Sequence, residues 1–106
     1  MSAPEWHLDI VRDDGCPLLL VMIEPQSGRV QHSTIKRFTR LGVIPALQEM
    51  MRRLGERPAA IVTDNDPRWF GVADALGVQR RILPPDQKTE LERIAMRLIQ
   101  KMEGDA

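Results

Sequence analysis

The stretch Trp6-His7-Leu8-Asp9-Ile10-Val11 sets large apolar residues at 6, 8 and 10, which is the two-residue period of a β-strand and puts Asp9 on the face opposite Trp6. Asp13-Asp14-Gly15 is a short turn signal. The run from Leu18 to Ile23 is apolar throughout, the pattern of a strand covered on both faces, so the two segments predict a hairpin. Pro25-Gln26-Ser27-Gly28 marks a second turn, and Arg29 to Ile35 mixes β-branched with polar residues, as suits a third strand at a sheet edge.

From Gly42 the period changes. Ile44, Leu47, Met51 and Leu54 recur at helical spacing, Pro45 is placed in a first turn, and Gly55 supplies the stop. Ala59-Ala60-Ile61-Val62 reads as a short apolar strand ending in Thr63-Asp64, followed by a helical piece around Phe70 to Leu76 and a strand near Arg81-Ile82-Leu83 that Pro84-Pro85 closes. A last helix starts near Asp86, a good N-cap residue, and carries Leu91, Ala95, Leu98 and Met102 on its inner face. The expected order is βββαβαβα in one domain over residues 1–106, an α/β arrangement with a mixed five-stranded sheet flanked by helices.

Composition narrows the class. Hydrophobic residues at 42% and charged residues at 28% fit a globular chain and argue against disorder. The longest apolar run, Cys16 to Ile23, is eight residues, well short of the roughly 18 that a membrane span needs. With no signal-peptide character at Met1 to Glu5, a cytoplasmic location is expected. Cys16 stands alone, so it reads as a small strand residue and excludes an internal disulfide or a multi-cysteine zinc site. Fifteen Lys and Arg are matched by fifteen Asp and Glu, so DNA contact would have to come from local patches at Lys36-Arg37 with Arg40, Arg52-Arg53 and Arg80-Arg81.

Several motifs fall in sequence along this frame. Trp6-His7-Leu8-Asp9 has an aromatic residue followed three positions on by Asp, Thr63-Asp64-Asn65-Asp66-Pro67 ends the fourth strand, and Leu76-Gly77-Val78, Leu83-Pro84-Pro85 and Leu91-Glu92-Arg93 follow. In that order they resemble the ribonuclease H-like catalytic core of DDE-type integrases and transposases from mobile elements. The resemblance covers residues 6 to 102. It implies that Asp9, Asp64 and Glu92 are catalytic carboxylates and metal ligands, with magnesium or manganese as the cofactor if the site is active. Such chemistry needs several carboxylates converging on two ions, and hard cations take oxygen donors.

The chain departs from that family in three places near the expected site. Asp66 stands where the family has Gly, which argues against a tight glycine turn and leaves a local cap or a substitute ligand. Asp64 to Glu92 spans 28 positions (92 − 64), shorter than in the family, and the loop before Glu92 is reduced to residues 85–89. Thr89-Glu90-Leu91-Glu92 also fits a capping box, which makes Glu90 a second candidate for the third carboxylate. His7 shares a face with Asp9 and reads as structural, while Trp69 and Phe70 read as core or rim packing. The expectation is a degenerate core, not a full integrase, kept as a binding or interaction module and associating as a homodimer through its edge strand or a helix face. The alternative is a metal-dependent DNA phosphodiester hydrolase or strand transferase using Asp9, Asp64 and Glu92.

Overall fold

The computed structural model describes residues 4–11, 18–84, 93, 94, 97, 100 and 101. Strand β1 (Glu5–Val11) pairs antiparallel with β2 (Leu18–Glu24), which pairs antiparallel with β3 (Arg29–Ile35). On its other side β1 pairs in parallel with β4 (Ala60–Thr63), and β4 in parallel with β5 (Gln79–Ile82), giving the order β3-β2-β1-β4-β5. The sheet is mixed and five-stranded, and β3 lies at its edge, as the polar pattern of that segment predicts.

Side-chain alternation divides the core between the two faces of this sheet. Trp6, Leu8, Leu20, Met22 and Ile61 pack on one face with Val43, Leu47 and Met50 of helix α1 (Arg40–Leu54) and Val72, Ala73 and Leu76 of helix α2 (Val72–Leu76). Val11, Leu19, Val21, Ile23, Val62 and Leu83 pack on the other face, where Ile94 rests against them. β2 therefore contributes to both cores, which is why its sequence shows no alternation. Residues 93, 94, 97, 100 and 101 are helical. The hairpin turn at Asp13-Asp14-Gly15, Cys16, the Asp86 cap and the inner-face positions Leu91, Ala95, Leu98 and Met102 lie outside the described residues, as do Glu90 and Glu92. No helix among the described residues is long and apolar enough to cross a membrane.

Three element boundaries differ from the sequence expectation. Helix α1 begins at Arg40 because the Thr39 hydroxyl caps it, accepting from the Gly42 N–H at 3.3 Å. Pro45 thus sits inside the helix and not in its first turn. It lies on the exposed side with Leu41, which is 90% exposed, so water can serve the Leu41 carbonyl that proline leaves without a donor. Gly55 ends the helix in the left-handed region at φ 65°, as expected. The single helical piece predicted from Phe70 is divided into a 3-10 turn at Pro67–Trp69 and α2, because Gly71 at φ 81° separates them. Strand β5 starts at Gln79, two residues before the predicted segment.

At the β2–β3 turn, Arg29 bridges Glu24 and Glu56, which follows α1. The Glu24 carboxyl is held below its ordinary 4.5, first by the Ser27 hydroxyl and then, against the opposing effect of burial, by the Arg29 guanidinium. Because the folded state favours the charged form, this contribution is present above pH 4.5 and is lost as pH falls through the lower folded value. In urea titrations, wild-type stability should drop more steeply below pH 4.5 than that of Glu24→Gln. Parallel pH profiles for the two proteins would remove Glu24 from the acid response.

Candidate functional site

Asp9 lies near the C-terminal end of β1, half-buried, and its Oδ1 accepts from the Ile10 N–H at 2.9 Å. Asp64 follows β4 directly and is also half-buried. The β1–β4 ladder pairs Glu5 with Ala60, Trp6 with Ile61 and His7 with Val62, a constant offset of 55 (60 − 5). Pairing stops at His7 and Val62, and Asp9 and Asp64 each lie two residues beyond it at the same end of their strands. Alternation carried one residue beyond Thr63 puts Asp64 on the face of Val62, and Asp9 shares that face with Val11. Two of the three expected carboxylates thus come from the C-terminal ends of the neighbouring parallel strands β1 and β4. Glu92 lies outside the described residues, and among the described residues no group of three potential ligands converges.

The segment after β4 is a chain of local contacts. The buried Thr63 hydroxyl donates to the Asp64 carbonyl at 2.8 Å. Asp64 Oδ1 accepts from the Asp66 N–H at 3.1 Å, which orients the carboxylate through an Asx turn. Asp66 has φ −69° and ψ 129°, an extended conformation open to any residue, and its side chain caps the 3-10 turn by accepting from the Arg68 N–H at 2.9 Å. Its second oxygen pairs with the Arg68 guanidinium at 2.7 Å. Of the two readings of Asp66, this geometry is that of the cap, and the backbone here has no need of the family's glycine.

Beneath this loop Trp69 is buried and meets Phe38 edge-on, with centroids 4.8 Å apart, while the Arg68 guanidinium covers the Phe38 ring at 4.1 Å. Phe70, by contrast, is a rim residue, 51% exposed. The Arg80 guanidinium lies 4.9 Å from its ring centroid and also reaches Thr63 Oγ1 at 3.4 Å and the Asp64 carbonyl at 3.3 Å. The sequence offers Arg80 and Arg81 together as one local cationic patch for DNA. They divide, because adjacent strand residues face opposite ways and Arg81 pairs instead with Glu5. His7, one step back from Asp9 on the same face, is half-buried and its pKa is lowered chiefly by that burial, so the neutral imidazole is favoured. A shallow groove between the end of β3 and the start of α1, lined by Lys36, Arg37 and Leu41 among others, lies on the far side of β2 from the carboxylates.

No protein-family profile matches the chain, and no curated protein matches it either. Solved structures do. The catalytic core domain of BIV integrase aligns over 99% of this chain and 74% of its own, with a TM-score of 0.76 and 20% sequence identity. A chain of the simian T-cell lymphotropic virus intasome, solved in complex with a PP2A regulatory subunit, aligns over 100% of this chain with a TM-score of 0.75 and 23% identity. This chain covers 43% of that one, less than half its length. At such identities the likeness carries architecture and leaves chemistry to be argued from the site. The chain has the ribonuclease H-like fold of integrase catalytic cores.

Proposed function

We propose that this chain binds a divalent cation through Asp9 and Asp64, with Glu92 as the third carboxylate, and acts on a nucleic-acid phosphodiester. The observation that supports this reading is the position of Asp9 and Asp64 at the C-terminal ends of the adjacent parallel strands β1 and β4, each two residues beyond the paired His7 and Val62. Carboxylates gathered at one strand end favour a cation among them, and oxygen donors of this kind fit magnesium or manganese. When bound, the cation supplies Lewis acidity at the scissile phosphate. The protein's own part is to hold Asp64 Oδ1 in one orientation through the Asp66 N–H and to back both aspartates with a packed core.

Calorimetric titration with manganese tests the reading. Wild type should bind, and Asp64→Asn and Asp9→Asn should each lose at least about tenfold in affinity, the scale seen even for changes outside the ligand set. A wild type that takes up no manganese overturns it. A second reading, a binding or interaction module that keeps the fold without the reaction, is favoured by the pairing of nearby cations: Arg68 is engaged by Asp66 and Arg81 by Glu5. Those arginines have less charge to offer a phosphate backbone. Under that reading the chain associates as a homodimer through the polar edge of β3 or a helix face, and any DNA contact falls to Lys36, Arg37, Arg40 and Arg53, since Arg52 is likewise engaged by Glu49.

A further inference from the structure

We infer that Arg80 is a positioning residue for Asp64, which deepens the metal-site reading above and rests on it. Arg80 is aligned with Ile61 in the β4–β5 register, two residues before the end of β4. Its side chain nonetheless extends along the sheet to the strand end, where Nη2 donates to the Asp64 carbonyl at 3.3 Å and Nε to the Thr63 hydroxyl at 3.4 Å. Thr63 in turn donates to that same carbonyl at 2.8 Å. The carbonyl of the candidate ligand is thus gripped from within by a buried hydroxyl and from outside by a guanidinium.

Phe70 holds the guanidinium in place. Its ring lies under Arg80 at 4.9 Å, and a planar cation over an aromatic face is fixed in orientation as well as position. β4 ends at Thr63, and no strand pairing holds the backbone beyond it. The Arg80 and Thr63 contacts take the place of that pairing at the residue whose side-chain oxygen must be aimed. Half-burial of Arg80 strengthens these hydrogen bonds relative to fully solvated ones.

The sign of the effect separates positioning from simple electrostatics. A cation beside a metal site repels the metal, so by charge alone Arg80→Ala would bind manganese more tightly than wild type. Positioning requires the reverse: affinity for manganese should fall roughly threefold to tenfold, the scale of one lost hydrogen bond of ordinary net strength, since the long contacts act on the metal only through Asp64. Arg81→Ala, which removes an equal charge held by Glu5, should not weaken binding, and Arg80→Lys should recover part of the loss. Manganese affinity in Arg80→Ala equal to or above that of wild type overturns the inference.

Backbone amide exchange at Asn65 and Asp66 gives a second readout that needs no metal. It should quicken in Arg80→Ala and stay unchanged in Arg81→Ala. If wild type binds no manganese, the metal-site reading falls and these amides alone decide whether Arg80 orders the turn; equal exchange rates in the two variants would sink that as well.

Discussion

Trp69→Ala should destabilise the protein by about 3–5 kcal/mol, the range for deleting a buried large aromatic side chain. Trp69 is 1% exposed and belongs to the core that joins the sheet to α1 and α2. Its removal opens a cavity beneath the 3-10 turn and takes away the edge-on partner of Phe38. Phe38 carries Arg68, and Arg68 pairs with Asp66, whose N–H orients Asp64. The loss should therefore pass from the core into the site: Trp69→Phe, which keeps most of the volume, should retain manganese affinity better than it retains stability. Urea denaturation of the two variants beside wild type checks the first part. A Trp69→Ala protein within about 1 kcal/mol of wild type, the central value for an ordinary point mutation, would show that this residue is not a keystone of the core.

Gly42→Ala should be destabilising by about 1–3 kcal/mol, the usual range for overpacking, although glycine to alanine inside a helix ordinarily stabilises by close to 1 kcal/mol. The clash decides between these opposing effects. A Cβ at Gly42 would lie 2.4 Å from the backbone oxygen of Arg37. A backbone carbonyl cannot turn aside as a flexible side chain can, so the Arg37–Thr39 approach to α1 must shift. That movement would disturb the Thr39 cap, whose hydroxyl accepts from the Gly42 N–H itself. Thermal melting of Gly42→Ala settles the sign, and a melting point at or above wild type would mean that the approach yields without strain.

How far the sequence could be read depended on the range of the interactions involved. Strand and helix periods are local, so Trp6 to Val11, the apolar run of β2 and helix α1 were legible from spacing alone, as was the mixed α/β order, although α1 buries Val43, Leu47 and Met50 and leaves Ile44, Met51 and Leu54 partly buried beside them. The Gly55 stop was equally plain, since a left-handed residue at a helix end favours glycine. Boundaries were less so. Thr39 as a cap and Gly71 as a break between two short helices depend on which hydrogen bonds the assembled chain makes, and their residue types are compatible with several placements.

The candidate site divides in the same way. The family resemblance pointed to Asp9 and Asp64, but only the parallel pairing of β1 with β4 brings them to the same end of neighbouring strands, because segments so distant in sequence meet only in the assembled sheet. Asp66 was a substitution with two readings until its extended backbone and its bonds to Arg68 made it a cap. Arg80 and Arg81 are neighbours in sequence and of one residue type, and nothing local separates them. Pairing of β5 with β4 turns one toward Asp64 and Phe70 and leaves the other with Glu5. The sequence by itself determined the main strands and helices and their order, which follow from short-range periodicity, and through its family resemblance it singled out two candidate carboxylates. Only the tertiary structure decided which side chains meet around Asp64, since those contacts join residues 16 and 17 positions apart across a strand pairing.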